Sequence, residues 1–373
     1  MKKISKIILP LIFTAVVVQL PAQTPGCWPS FRGDQALTGK TGAELPDRFE
    51  LRWTFETGDA IKSSPVICDD RIFVGSDDGF LYALSQAGEL LWKFEAGTSI
   101  EAPPLYLDGT VYFGSLEGAF FALDAASGEL QWKYMSDGQI SGAAGWAETR
   151  KHGKIVLFGS YDFYLHALNA TTGDSLWSYE SDSYINGAVA VNDGLASFGG
   201  CDGMLHLIDV ENGKRKGQVE IGTYVAASPA FGGRMAFVGD YDGKFYGIEM
   251  KSKKIAWSFG DGGEIIGSPA ISHDRVLIGS RDKNLYCFNK SDGNLVWNFR
   301  TLGKVESSPV IAGNKVLLTS ADGRLYLLQL ANGEKIWSYE IGSPLRSTPA
   351  VTESLIVVCD TDGRVYGFGP VND

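Results

Sequence analysis

Short apolar runs, each bounded by tight polar turns, recur along most of this chain. In the unit that ends near Trp337 the runs cover residues 307–311, 315–319, 324–328 and 335–339. Runs of this length between turn-forming residues indicate β-strands rather than helices. Gly323 and Gly333 stand in two of the turns, where a hairpin needs the positive φ that glycine adopts without steric cost. The unit therefore predicts four antiparallel strands.

The same unit recurs eight times. One turn of each unit carries an acidic residue, at intervals of 39, 45 and then five times 40 residues: Asp78, Glu117, Asp162, Asp202, Asp242, Asp282, Asp322 and Asp362. A second series stays in phase with the first, with glycine in its fifth place: Trp53, Trp92, Trp132, Trp177, Gly217, Trp257, Trp297 and Trp337. Self-similarity at this period indicates a repeat architecture, and four strands per unit are typical of propeller blades.

The two ends of the repeat array complement each other. The last unit stops after its third strand, at 365–368, and the array begins with an unpaired fourth strand, at 51–55. Joining the two completes a blade and leaves no long unpaired edge. We therefore predict an all-β fold, an eight-bladed β-propeller of four-stranded antiparallel blades whose ring is closed by the N-terminal strand joining the last blade.

Two places interrupt the regular repeat. A large planar Trp on each outer strand can pack against the next blade, burying about 200 Å². The junction at Gly217 should therefore be looser or filled differently. The single interval of 45 residues places an insertion around 146–152, and irregular loops on a regular scaffold often carry function.

The start of the chain differs in composition from the repeats. Lys2, Lys3 and Lys6 precede an apolar run at 7–20 that is short for a membrane span. We predict a signal peptide at 1–22, an N-terminal extension at 23–48 and the propeller at 49–373. No later run is long enough to span a membrane. We therefore expect an exported protein of the periplasm or cell surface, and we also expect it to be a monomer.

Charge, cysteines and histidines narrow the classes of function. The net charge of −11 argues against binding nucleic acid, whose backbone requires clustered Lys and Arg. The cysteines form no adjacent pair and no C-x-x-C. Cys27, just after the signal, is a candidate for lipid attachment, and buried free thiols are expected at Cys68, Cys201, Cys287 and Cys359. His166 and His206 stand where other units carry an aromatic residue, so we interpret them as packing substitutes, and no metal site or catalytic residue is predicted.

A ring of variable positions should line the central channel. The residue after the first apolar position of each inner strand is Lys62, Glu101, Ser141, Asn186, Ala226, Ile266, Glu306 and Arg346. The next position is always small, as expected where eight strands crowd around an axis. The charges fall in one half of the ring, from Glu306 to Glu101. Either they neutralise each other at the channel mouth, or they form a half-ring that recognises a ligand or partner opposite apolar Ile266.

The repeats resemble a known family. Segments 76–84 (SDDGFLYAL) and 124–132 (DAASGELQW) are similar to the pyrroloquinoline-quinone (PQQ) repeat, also called the tryptophan-docking motif. The resemblance covers residues 51–368, and segment 28–33 (WPSFRG) resembles the leader of exported, single-domain members, the BamB-like branch.

The resemblance implies a non-catalytic scaffold that binds envelope or outer-membrane proteins. The binding residues would be Lys62, Glu101, Asn186, Ile266, Glu306 and Arg346. One alternative is a small-molecule or glycan binder that uses the central funnel, and a second is a PQQ-dependent oxidoreductase. Quinone-dependent dehydrogenases of this fold carry an adjacent cysteine pair and a calcium held by Glu and Asn. Because this sequence matches neither feature, we expect no enzymatic activity and no cofactor.

Overall fold

The computed structural model describes residues 26–260 and 262–371, so the predicted signal peptide lies outside the described residues. The described residues form strands and turns without a helix, and the strands build eight sheets. The innermost strands of neighbouring sheets contact one another at most junctions, including the junction between the first and last sheets, so the sheets form a closed ring. The predicted eight-bladed propeller is confirmed.

The first four blades each contain four antiparallel strands. Blade 1 contains β3 Val66–Cys68, β4 Arg71–Gly75, β5 Phe80–Ser85 and β6 Leu90–Glu95. Blade 2 contains β7 Leu105–Leu107, β8 Thr110–Gly114, β9 Ala119–Asp124 and β10 Leu130–Met135. Blade 3 contains β11 Gly145–Thr149, β12 Gly153–Gly159, β13 Tyr164–Asn169 and β14 Ser175–Glu180. Blade 4 contains β15 Ala190–Asn192, β16 Leu195–Gly199, β17 Met204–Asp209 and β18 Arg215–Glu220.

The other four blades repeat this order, with two additions from the N-terminal part of the chain. Blade 5 contains β19 Ala230–Gly232, β20 Met235–Gly239, β21 Phe245–Glu249 and β22 Lys254–Phe259. Blade 6 contains β23 Ala270–Ile271, β24 Arg275–Gly279, β25 Asn284–Asn289 and β26 Leu295–Arg300. Blade 7 contains β27 Val310–Ala312, β28 Lys315–Ser320, β29 Arg324–Gln329 and β30 Lys335–Glu340, with β1 Lys40–Thr41 parallel to β27. Blade 8 contains β31 Ala350–Val351, β32 Ile356–Cys359, β33 Arg364–Pro370 and β2 Phe49–Glu56.

Blade 8 closes the ring in the predicted way. Strand β2 pairs antiparallel with β33, with Leu51 opposite Phe368 and Glu56 opposite Arg364. The fourth strand of the last blade therefore comes from the start of the propeller, so the ends of the array hold each other through backbone hydrogen bonds.

The strand directions define two faces. Turns between the second and third strands of each blade, such as 76–79, and the connectors between blades, such as 96–101, lie on what we call the upper face. Turns between first and second strands, such as 69–70, and between third and fourth strands, such as 86–89, lie on the lower face. The inner strands begin at the upper face, so the predicted variable ring lies at the upper mouth of the channel.

The Trp series joins neighbouring blades, as predicted. Each of six indole Nε1 groups donates to a backbone carbonyl in the next blade: Trp53 to Gln86, Trp92 to Ala125, Trp132 to Ala170, Trp177 to Val210, Trp257 to Lys290 and Trp297 to Leu330. The ring lies on a turn glycine of that blade. A Cβ atom on Gly333 would lie 2.6 Å from the Trp297 ring, and Gly333 has φ 74°. Both the space and the backbone conformation therefore require glycine there.

The junction without a Trp is filled by a lysine. Where other blades have the turn glycine, blade 5 has Lys253, which keeps the left-handed φ of 57°. Its Nζ donates to the carbonyl of Lys216, and a Cβ atom on Gly217 would lie 2.7 Å from its Cδ. The absence of the Trp at position 217 and the absence of the turn glycine at position 253 are thus complementary. The lysine stem occupies the space that the indole fills at the other junctions.

This complementarity predicts a thermodynamic coupling between residues 217 and 253. The free energy of unfolding of the double variant Gly217→Trp/Lys253→Gly should exceed the value obtained by adding the effects of the two single changes, by about 1–3 kcal/mol. The reason is that an indole introduced at position 217 alone would collide with the lysine, whereas the paired change restores the docking found in other blades. Urea denaturation of the four proteins gives the coupling free energy, and purely additive effects would contradict the interpretation.

The repeated acids mostly hold their own turns. Asp78 accepts hydrogen bonds from the backbone of Phe80 at 3.0 Å and from the Tyr82 hydroxyl at 2.6 Å. His166 and His206 take the place of that tyrosine, at 2.9 Å from Asp162 and 2.8 Å from Asp202, so their interpretation as aromatic substitutes is confirmed. Blades 5 and 8 differ, because the tyrosine hydroxyl donates to an aspartate two residues before the repeated acid. Tyr246 donates to Asp240, and Tyr366 donates to Asp360.

The N-terminal segment crosses the lower end of the channel. Its backbone pairs with inner strands around the ring: Trp28 with Ile67, and the carbonyls of Pro29, Gln35, Ala36, Thr38 and Gly39 with the amides of Tyr106, Val191, Phe231, Ile271 and Ile311. Trp28 and Arg32 are fully buried. Arg32 donates from Nη2 to the Pro269 carbonyl at 2.8 Å, and burial lowers the pKa of its guanidinium to about 9. This segment therefore forms a floor beneath the channel.

The cysteines differ from expectation at Cys27, Cys68 and Cys201. Cys27 and Cys68 form a disulfide, which joins the N-terminal segment to β3. Cys68 is therefore not a free thiol, and a lipid attached through the Cys27 sulfur is incompatible with this bond. Cys287 and Cys359 are buried free thiols as expected, whereas Cys201 is free but only partly buried.

The insertion near residue 146 lengthens a lower-face hairpin of blade 3. Strands β11 and β12 pair from Gly145 with Leu157 to Thr149 with Gly153. The backbone amide of Arg150 reaches Glu211 of blade 4 at 2.8 Å. The insertion thus adds a contact between two blades.

Candidate functional site on the upper face

The predicted ring residues lie at the upper mouth of the channel, where each inner strand begins. The position after each of them is buried and small: Ser63, Ala102, Gly142, Gly187, Ala227, Gly267, Ser307 and Ser347. A Cβ atom on Gly142 would lie 2.3 Å from the Gly187 carbonyl, which shows how closely neighbouring blades approach. The narrow wall below leaves the ring itself as the accessible part of the channel.

Glu306 is the centre of one charged cluster. Its side chain is 5% exposed and lies between two arginines, with Arg281 Nε at 2.7 Å and Arg346 Nε at 3.0 Å. Arg281 comes from the upper-face turn of blade 6 and also donates to the Tyr241 hydroxyl at 3.2 Å. Partial burial, the largest single effect, opposes the charged form of Arg281, but the Glu306 carboxylate and the Tyr241 hydroxyl together outweigh it and raise the arginine's pKa.

Lys62 is the centre of the second charged cluster. Its Nζ lies 2.6 Å from Glu101 and 2.9 Å from Asp77. The hydrogen bond to Glu101, followed by that to Asp77, raises the pKa of Lys62. The charged half of the ring therefore consists of two internally paired clusters, which matches the alternative in which the charges neutralise each other.

The opposite half of the ring is neutral, and one amide group there is only partly paired. Asn186 donates from Nδ2 to the Tyr224 hydroxyl, while its Oδ1 is buried without a hydrogen-bond partner among the described residues. Burial, followed by the nearby Cys201, raises the pKa of Tyr224 to about 12, so its hydroxyl stays protonated at neutral pH. Ile266 is partly exposed between this half and the Glu306 cluster.

Beside the neutral half lies a group of aromatic side chains that we call the aromatic crescent, formed by Tyr161, Phe163, Tyr184, Tyr224 and Tyr241 on the turns and connectors of blades 3 to 5. The ring centroids of Tyr161 and Phe163 each lie 5.0 Å from that of Tyr184, and those of Tyr224 and Tyr241 are 5.5 Å apart. Phe163, Tyr184 and Tyr241 are 38%, 45% and 39% exposed. Exposed clustered aromatic rings mark interaction sites on soluble proteins.

The aromatic crescent was not predicted from the sequence, although a signal was present. The connector position two residues before the ring position is Ala60, Ser99, Gln139, Tyr184, Tyr224, Glu264, Lys304 and Pro344. The turn position before the repeated acid is Asp77, Leu116, Tyr161, Cys201, Tyr241, Arg281, Ala321 and Thr361. Aligning these two columns with the ring column would have placed aromatic residues on one side and charges on the other.

The residues of this face do not fit the quinone chemistry of the larger dehydrogenases. Cys201 is the cysteine on the upper face, and its side chain hydrogen-bonds with Tyr224 and not with a second cysteine. Within residues 26–260 and 262–371 no three His, Cys, Asp or Glu side chains are grouped to hold a metal ion. We therefore derive no step through a quinone.

Across residues 26–260 and 262–371, no helix has the length and apolar character needed to cross a membrane.

The architecture and the docking tryptophans define an eight-bladed propeller of the tryptophan-docking class. A sequence-family profile described as outer membrane protein assembly factor BamB matches residues 40–259 and 201–369. The protein therefore belongs to this family of PQQ-repeat propellers. No curated protein sequence matches the chain.

Solved structures agree with the fold. BamB from Moraxella catarrhalis has a TM-score of 0.74 at 17% identity, over 87% of this chain and 100% of that chain. The computationally designed Ika8 protein has a TM-score of 0.74 at 17% identity, over 84% of this chain and 98% of its own. A europium-containing methanol dehydrogenase has a TM-score of 0.79 at 13% identity, over 93% of this chain and 99% of its own. Likeness at this level of identity concerns the fold, and the fold hosts both binding proteins and enzymes.

Proposed function

We propose that this protein is a non-catalytic binding or scaffold propeller of the cell envelope, and that its upper face binds an envelope or outer-membrane protein. The observation that carries the proposal is the asymmetry of this face, with three exposed aromatic side chains on one half and paired charges on the other. Hot spots of protein interfaces are enriched in Tyr and Arg and are surrounded by polar contacts. Membership in the BamB family supports an envelope partner.

The proposal assigns different roles to the two halves. The aromatic crescent supplies apolar area that a partner can cover, since Tyr rings bury large surfaces at a low cost in conformational entropy. The clusters around Lys62 and Glu306 orient the partner, because paired charges at an interface favour specificity more than affinity. Ile266 lies on the boundary between the two halves, and Asn186, within the neutral half, can accept a hydrogen bond at its unpaired Oδ1.

Site-specific photocrosslinking tests this proposal in intact cells. A photoreactive amino acid at position 184 should give a covalent adduct with an envelope protein, whereas one at Leu130, an equally exposed residue of the outer rim, should not. The adduct is identified by mass spectrometry, and the purified partner is then used for affinity measurements. Equal crosslinking at both positions would argue against a site on the upper face.

The purified partner then measures the contribution of each half. Tyr184→Ala/Tyr241→Ala should weaken binding at least tenfold, as expected for loss of two hot-spot rings at about 1–2 kcal/mol each. Lys62→Gln/Arg346→Gln tests the charged half-ring and should reduce affinity and its salt dependence. The control Leu90→Ala/Leu130→Ala removes two exposed apolar side chains of the outer strands, away from the upper face, and should leave the dissociation constant unchanged. Unaltered affinity in both test variants would refute the proposal.

A small ligand or glycan is the second candidate. It is favoured by one observation, the unpaired Asn186 Oδ1 beside the neutral Tyr224 hydroxyl, because a few convergent polar groups among aromatic rings are typical of small-molecule sites. Calorimetric titration with envelope oligosaccharides should then detect heat that Asn186→Leu abolishes.

A further inference from the structure

The lower face carries a concentration of positive charge in an otherwise acidic protein. Seven exposed cations lie on the turns of blades 4 and 5 or directly after them, and we call them the basic patch: Lys214, Arg215, Lys216, Arg234, Lys251, Lys253 and Lys254. The equivalent turns of blades 1, 2, 3 and 7 carry acids instead, at Glu89, Glu129, Asp174 and Glu334. The chain as a whole has a net charge of −11, so the patch is a local reversal of sign.

The turns of the basic patch are held side by side. The Met250 amide donates to the Arg234 carbonyl at 3.0 Å, which joins the two lower turns of blade 5. Lys253 Nζ donates to the Lys216 carbonyl, which joins blade 5 to blade 4 at the junction that lacks a docking Trp. At this junction, the contact that a Trp and a Gly make elsewhere is therefore made between two basic segments.

The charges of the basic patch are mostly not neutralised within the protein. Among the described residues, Lys216 is the member that pairs with a carboxylate, that of Asp209 at 3.0 Å. The upper face differs, since Lys62, Arg281 and Arg346 all have carboxylate partners there. Exposed cations of like sign repel each other, so the patch gains stability when an external anion approaches.

A cleft and exposed apolar side chains extend the patch toward blade 6. The cleft has a volume of about 850 Å³, and its lining includes Arg234, Arg275 and Lys290, with the acids Glu249 and Asp274 also present. Burial lowers the pKa of Lys290, while the Asp274 carboxylate opposes this shift and the nearby Lys40 adds to it. Ile255, Leu295 and Val296 follow the lower turns of blades 5 and 6 and are 40%, 48% and 38% exposed.

We propose that the basic patch docks the protein on an anionic phospholipid surface. The unpaired cations are spread over neighbouring turns of one face instead of converging on a single pocket, which suits a sheet of negative headgroups better than one small anion. The apolar side chains beside the cations can enter the headgroup boundary, as on peripheral membrane proteins. The upper face remains free in this orientation, so the proposal is independent of the partner site described above.

Vesicle sedimentation with matched charge variants tests the proposal. The full chain should sediment with vesicles of phosphatidylglycerol and phosphatidylethanolamine but not with phosphatidylcholine vesicles. Lys214→Gln/Lys251→Gln/Lys254→Gln removes three side chains without a hydrogen-bond or ion-pair partner among the described residues, and should weaken binding about 100-fold, from about a fivefold loss per cation. Raising the salt from about 0.1 M to about 1 M, which shortens the Debye length to ~3 Å, should also release the protein.

A control variant and three outcomes decide the result. Lys283→Gln/Arg300→Gln/Lys304→Gln removes the same charge from exposed sites at the upper face and should bind like the wild type. Equal weakening in both triple variants would show an effect of net charge alone and overturn the proposal. Binding of soluble polyphosphate without binding of vesicles would assign the patch to a soluble polyanion and also overturn it. So would low-salt dimerisation, seen by sedimentation equilibrium, that only the patch variant abolishes, because a second copy would then cover the face.

Discussion

Replacement of Trp297 by alanine is expected to lower the free energy of unfolding by about 3–5 kcal/mol, the range for large aromatic residues removed from protein cores. Trp297 is 8% exposed, and its indole Nε1 donates to the Leu330 carbonyl at 2.9 Å. The ring also covers Gly333 and belongs to the core shared by blades 6 and 7. Truncation leaves a cavity between two blades and removes the only donor that the indole supplies. Urea denaturation followed by circular dichroism measures the loss.

The natural junction at Gly217 provides the matched control. Trp297→Gly/Gly333→Lys copies the pair Gly217 and Lys253 into the junction of blades 6 and 7. The lysine stem should recover about 1 kcal/mol or more relative to Trp297→Gly alone, because it fills part of the cavity. A loss below about 1 kcal/mol in Trp297→Ala would mean that backbone pairing, and not the docked indole, holds the blades together.

The propeller could be predicted from the sequence because its physical causes repeat. Each turn glycine, turn acid and docking Trp is required by a local geometry, so the same requirement recurs every 40 residues or so and can be aligned. Closure by β2 also followed from the sequence, since an orphan fourth strand and a missing fourth strand are complementary. Even the irregular junction at Gly217 was visible as a break in the series.

The site could be predicted only in part, because its contacts join different blades and turns. The ring positions of Glu306 and Arg346 were located, but Arg281 pairs with Glu306 from a turn that is 25 residues away. The aromatic crescent combines residues of the connectors between blades with residues of the upper turns, and these two sets of positions do not lie on the same strand. Periodicity places residues within a blade, whereas the side-chain pairing across blades depends on the ring as a whole.

The path of the N-terminal segment was not predicted for a related reason. Residues 28–41 are not part of the repeat, and their hydrogen bonds go to inner strands that span most of the ring. Their position places Cys27 beside Cys68, two residues that no sequence spacing connects. Disulfides are typical of oxidising compartments, which is consistent with the export proposed for this protein.

Loss of the Cys27–Cys68 disulfide is expected to cost about 4 kcal/mol, from the chain entropy of a closed loop of about 40 residues. The sequence separation of the two cysteines is 41 residues. The variant Cys27→Ser/Cys68→Ser should have a lower melting temperature than the wild type. Hydrogen exchange should become faster at the Ile67 amide, which donates to the Trp28 carbonyl, because the floor segment detaches first.

A reductant and a thiol count make this prediction specific. Reduction should lower the melting temperature of the wild type and leave that of Cys27→Ser/Cys68→Ser unchanged, since the remaining cysteines are free thiols. The denatured, unreduced wild type should expose three reactive thiols, those of Cys201, Cys287 and Cys359, out of five cysteines. Five reactive thiols would show that the bond does not form, and Cys27 would again be available as a lipid attachment site. A stable protein with the bond reduced would show instead that the buried Trp28 and the backbone pairing are enough to hold the floor in place.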